Sequence, residues 1–208
     1  MSSAAVPDPA RDVIRGGCRI LRVLLAALPL LTGCTGYSPP SASVRLPPDA
    51  VEGAGDPTRA AILGAAYAFG HPEALAGRPA EAARSVANYE YLAVEIPTGP
   101  RWVGFSPLVG VELRRGLAEV RSAVGIAPGA PSQPVVDALY AASRALRAGD
   151  AEAARRLLSP SLFPAGGAAT LARLAALPRL PQAGFATSLA ANELNRQDSG
   201  RHSLWSQP

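Results

Sequence analysis

The chain has 208 residues, 48% of them apolar and only 17% charged, with twenty arginines, sixteen acidic residues and no lysine. The missing lysine argues against Schiff-base chemistry, a P-loop and the Ser-x-x-Lys pattern of penicillin-binding enzymes. Two cysteines and two histidines are too few for a His-rich metal site or a disulfide framework, and a net charge of only +4 carried entirely by arginine does not identify a nucleic-acid binder.

The first element in chain order is an uncharged run, Val23 to Thr32, preceded by Arg11, Arg15, Arg19 and Arg22 and followed by Gly33-Cys34. A membrane span needs about 20 apolar residues, and Pro29 weakens even this short run. A basic lead, a short apolar core and a small-residue exit describe a secretion signal. The four residues Leu31-Thr32-Gly33-Cys34 resemble the lipobox of bacterial lipoproteins. That resemblance covers residues 1–34 only. It implies cleavage before Cys34, acylation of Cys34 and a chain held on a membrane by lipid, facing the periplasm. Thr35 stands where retention-signal lipoproteins commonly carry Asp, which by the same resemblance favours the outer membrane over the inner. The basic region is long for such a signal, and a start near Val13 would bring it to ordinary length.

Cleavage would leave 175 residues, enough for one domain with a real core. It would remove Cys18, four arginines and two aspartates, so the remainder carries about +2 and no free thiol. Residues 34–56 are predicted to be a disordered linker: "TGYSPPSASVRLPPDAVEGAGDP", residues 35–57, has five prolines and little apolar periodicity. Its reach when flexible is roughly 25 Å. A rival reading makes "SVRL" an edge strand.

From residue 57 to 195 the punctuation predicts helices. Asp56-Pro57 is a cap followed by a first-turn proline, with Ile62, Ala65 and Phe69 sharing a face before Gly70. Pro79 opens a second helix, whose Ala82, Val86, Tyr89, Ala93 and Ile96 recur at spacings of four and three. Ser106-Pro107 opens a third, with Leu113, Leu117, Val120 and Val124 in one stripe and Gly125 as its terminator. A fourth carries Val135, Leu139, Ala142 and Leu146 up to Gly149. Asp150 caps a fifth that packs through Ala154, Leu157 and Leu158, and "TLARLAALP" and "FATSLAANELNR" complete the set. No segment alternates with period two. The expected fold is all-α, a small irregular bundle of six or seven helices built from αα-hairpins.

The unit Ala138–Leu158 is spelled like a single tetratricopeptide-type hairpin. No second copy follows at a 34-residue period, so a generic hairpin inside a bundle is expected. The tail 196–208 is predicted to be disordered, with Trp205 either unstructured or a docking residue.

No catalytic residue, cofactor or metal ligand emerges. Gly104-Phe105-Ser106 begins like a nucleophile elbow but lacks the second glycine, and Ser106 reads as a helix cap. His71, at a helix end, is placed to meet the last carbonyls. Glu90 and Glu95 are five apart and diverge on a helix, which is poor support for a paired-carboxylate hydrolase. Arg114-Arg115 and Arg155-Arg156 read as solvated faces.

The stretch least like simple packing is "PTGPRWVGFSPL", Pro97 to Leu108. Two readings stay open there. Trp102 and Phe105 fold back as a lid on the core, since a chain with eleven aromatics rarely leaves Trp wet. Alternatively Arg101, Trp102 and Phe105, bordered by Tyr91, form a contact surface for a partner or ligand. The functional expectation is a non-enzymatic, membrane-tethered helical domain that docks another envelope protein. The alternative is a carrier of a small apolar ligand or lipid, marked by a cavity lined by Tyr67, Phe69, Trp102 and Phe105.

Overall fold

Pro57, Pro79, Pro107 and Pro181 open four helices, Asp56 and Asp150 cap two, and Gly99, Gly125 and Gly149 stand at the ends of three. The computed structural model describes residues 43–51 and 55–205. The predicted signal (1–33), Cys34 and the first part of the linker lie outside the described residues. Among those described, the chain is all-α, with seven helices and no strand: α1 (Pro57–Gly70), α2 (Pro79–Thr98), α3 (Pro107–Val124), α4 (Ser132–Arg147), α5 (Ala151–Leu157), α6 (Gly166–Ala175) and α7 (Pro181–Trp205). Short 3-10 turns stand at Pro48–Ala50, Pro72–Ala74 and Pro100–Trp102.

Asp56 caps α1, its carboxylate accepting from the Thr58 and Arg59 amides at 3.0 and 3.3 Å. Gly125 and Gly149 end α3 and α4 in the left-handed region, φ +82° and +78°, where a side chain is strained. Asp150 then accepts from the Ala153 amide at 2.8 Å and starts α5, so α4 and α5 form the expected hairpin. Leu157 differs from expectation: it is exposed, and Ala154 and Leu158 carry the α5 contact.

Helix α2 is the axis of the bundle and packs against α1, α3, α4 and α6, while α7 closes the far side against α1 and α3. Almost every residue from Ala82 to Ala93 is buried. A helix enclosed on all sides must find partners for its polar groups, and α2 does. The Tyr89 hydroxyl donates to the Leu113 carbonyl at 3.1 Å, Tyr91 shares a hydrogen bond with Thr58 at 2.7 Å, and Tyr140 donates to Asn88. Glu90, with no exposed surface, takes both arms of the Arg121 guanidinium and the Ser132 hydroxyl, the latter at 2.7 Å. Burial pushes the Tyr89 phenol well above the ordinary tyrosine range, and the carboxylates of Glu119 and Glu112 add to the shift.

Two expectations of disorder are corrected. Residues 43–51 of the linker lie on the domain, with Val44 and Ala50 buried. They make no strand either. Instead the Gln133 amide grips both backbone groups of Arg45, at 2.6 and 3.1 Å, as a partner strand would. Arg84 donates to the Ala50 carbonyl at 2.6 Å and Arg144 pairs with Asp49. The predicted tail is helical through Trp205 because α7 does not stop at Arg196. Asp198 accepts a two-armed ion pair from Arg59 of α1 at 2.9 and 2.6 Å, which ties that extra length to the bundle. No described helix is long and apolar enough to cross a membrane.

Candidate functional site

The segment joining α2 to α3 is held from three sides. Its 3-10 turn buries Trp102, whose indole donates to Glu95 at 3.2 Å and meets the Phe105 ring edge-on, centroids 4.9 Å apart. Helix α7 secures the other end: Glu193 accepts from the Ser106 amide at 2.9 Å, and Arg196 bridges Glu193 and the Gly104 carbonyl. Arg196 and the Ser106 amide hold the Glu193 carboxyl below the usual glutamate range, against the opposing effect of its burial. Arg101 lies across the Trp102 ring, 4.9 Å from its centroid, and pairs with Asp56 at the start of α1.

Three of the four predicted contact residues are therefore inside. Trp102 and Phe105 are the lid on the core, and Tyr91 is buried against Thr58, its phenol raised chiefly by burial. Arg101 alone stays at the surface, already paired. Hydrogen bonds link the set, from Tyr91 through Thr58 at the α1 start to Asp56 and Arg101. As a contact surface the aromatics are withdrawn.

What the lid exposes is aliphatic. Val103 at its tip is 84% exposed, and Leu108 and Val111 on the first turns of α3 are 50% and 44% exposed. Val103 and Val111 line a cleft of about 280 Å3 together with Pro97, the two buried aromatics and Arg114. Gly110 lets the two helices close here, since a Cβ would stand 2.9 Å from that of Pro97. Arg114 has no ion pair with another described residue. Sequence reasoning missed these positions, although a signal was present. The buried stripe of α3 runs through Val109, Leu113, Gly116, Val120 and Val124, and Leu108 and Val111 are large apolar residues off that stripe.

Other candidates resolve into structure. Ser106 occupies the cap position of α3 without using its hydroxyl; its amide is what the loop needs. His71 meets the Tyr67 carbonyl through Nδ1 at 2.9 Å, as its position at the helix end predicts. Glu90 and Glu95 diverge, one to Arg121 and the other to Trp102. Among the described residues, no group of three or more His, Cys, Asp or Glu could hold a metal ion. The four aromatics expected to mark an apolar cavity line three separate clefts. Tyr67 borders a cleft between α1 and α2, Phe69 another of about 290 Å3 beside the exposed Phe185, and Trp102 and Phe105 the one described above.

No family model matches the chain, and comparison with curated proteins and with solved structures finds no similar one.

Proposed function

We propose that this chain is a lipoprotein of the bacterial cell envelope, anchored through Cys34, whose helical domain docks another envelope protein without performing catalysis. The observation that carries the docking half is the cleft of Val103 and Val111, held by the α7 contacts and lined also by Arg114, which has no ion pair with another described residue. Large apolar side chains left in water beside a preformed cleft favour a protein contact. The partner surface that fits is an apolar side chain flanked by a carboxylate, which would fill the cleft and answer Arg114. The anchoring half is supported by the order of charge, apolar run, small exit and cysteine in residues 11–34. Several acyl chains on Cys34 would hold the domain on the membrane stably, where a single chain binds only marginally.

Two measurements test the two halves. Fatty-acid labelling and membrane fractionation should find the native chain acylated and membrane-bound, and Cys34→Ser unlabelled and released. A photo-crosslinker at position 103 or 111, but not at the exposed Ser161, should capture one protein in intact cells. Arg114→Glu should reduce that capture at least about tenfold. An unlabelled native chain defeats the anchor, and equal capture from position 161 defeats the docking surface.

A further inference from the structure

A second cleft, of about 330 Å3 and different character, lies between α1 and α2 on another part of the molecule. Its α1 wall is Ala60, Gly64 and Ala68, and Ser85 and Asn88 of α2 form its floor. Asn88 is only 7% exposed. Its Oδ1 accepts from the Tyr140 hydroxyl. This fixes the amide's orientation: the Nδ2 amino group faces the cleft. No described residue accepts from Nδ2, and it is not sealed from solvent.

The remaining lining has the same polarity. Arg84 and Arg78 contribute positive charge, and Arg78 makes no ion pair with another described residue. Glu81, the one carboxylate in the lining, is already answered by Arg147 at 2.9 Å. Gly64 adds an independent observation. A glycine in mid-helix is less stable than alanine, and here packing does not require it: a Cβ at position 64 would meet nothing nearer than Asn88 Nδ2 at 4.0 Å. A longer side chain at 64 would lie over that amide. Its absence leaves the donor open.

We propose that the α1–α2 cleft binds a small anion, a carboxylate or phosphate group, whose oxygen accepts from Asn88 Nδ2 and pairs with Arg78 while its carbon body rests on Ala60, Ala68 and Leu75. The site is separate from the aliphatic docking cleft and does not depend on that reading.

The test is a nuclear magnetic resonance titration of the isotope-labelled full chain, in phosphatidylcholine nanodiscs, with inorganic phosphate and with acetate at constant ionic strength. The Asn88 side-chain amide and the Gly64 backbone amide should shift saturably with at least one of the two anions and not with chloride. Arg78→Gln, an exposed change, should weaken binding about tenfold, the loss of one charge-assisted hydrogen bond. Gly64→Gln should abolish the response without lowering the melting temperature. Nanodiscs containing phosphatidylglycerol separate the sources: shifts already present before phosphate is added identify a headgroup as the anion, and shifts only on addition identify a dissolved ligand. No saturable shift with either anion or with phosphatidylglycerol, the same shift with chloride, or an affinity unchanged in Arg78→Gln overturns the proposal.

Discussion

Replacing Gly116 by alanine should destabilise the bundle although alanine is the better helix former. Gly116 sits in α3 where α2 and α7 converge. A Cβ there would stand 2.1 Å from the Tyr89 hydroxyl oxygen, 3.1 Å from its Cζ and 3.2 Å from the Ala183 backbone nitrogen. The phenol has nowhere to retreat: it is fully buried, edge-on to Phe69 at 5.4 Å and bonded to the Leu113 carbonyl. Overpacking a tight core costs about 1–3 kcal/mol, and breaking a buried phenol's hydrogen bond about 1–3 kcal/mol more. The helical gain of alanine over glycine returns about 1 kcal/mol. The net loss is about 3 kcal/mol, a fall in melting temperature of roughly 6–12 °C for a chain of this size. Thermal and urea melts followed by circular dichroism measure it. Tyr89→Phe removes the atom at 2.1 Å, so Gly116→Ala in that background should cost far less, with a coupling of about 2 kcal/mol. A Gly116→Ala protein as stable as the native one, or strictly additive costs in the double variant, would refute this account of the three-helix junction.

Two further perturbations follow from the charged groups. Glu90→Ala leaves Arg121 without its carboxylate in a nearly enclosed site and should cost about 3–5 kcal/mol in urea unfolding; Glu90→Leu combined with Arg121→Met should recover much of that loss. Glu193 has a lowered carboxyl pKa in the folded chain, so the unfolded chain binds its proton more readily. Its contribution to stability is therefore present above the ordinary glutamate range and is lost as pH falls through that range to its own lower value. The Ser106 amide resonance should hold its position through the ordinary range and move only below it, and Glu193→Gln should remove that component from the acid-unfolding curve.

The helix inventory was legible because what sets it is local. Pro57 and Pro107 at first turns, Asp56 and Asp150 as caps, and Gly125 and Gly149 in the left-handed region act within a few residues of the boundary they mark. The apolar spacing of α2 likewise identified the helix that becomes the axis of the bundle. The site was much less legible. Whether Trp102 and Phe105 face water depends on Glu193 and Arg196, about ninety residues further on. Whether Glu90 is a solvated charge or a buried one depends on Arg121 and Ser132.

The same division separates the ends of the domain from its middle. Composition alone made 43–51 and the stretch after Arg196 look disordered, because neither can bury much apolar surface by itself. Gln133, Arg84 and Arg144 hold the first, and Arg59 holds Asp198 in the second. By itself the sequence determined the all-α class, the helix starts and stops marked by Pro, Asp and Gly, and the hairpin at Gly149-Asp150, since backbone conformation and capping act over one turn of helix. The tertiary structure decided which aromatics are hidden, which aliphatics are shown and which chain ends are ordered, since each depends on a partner that only folding brings within a few ångströms.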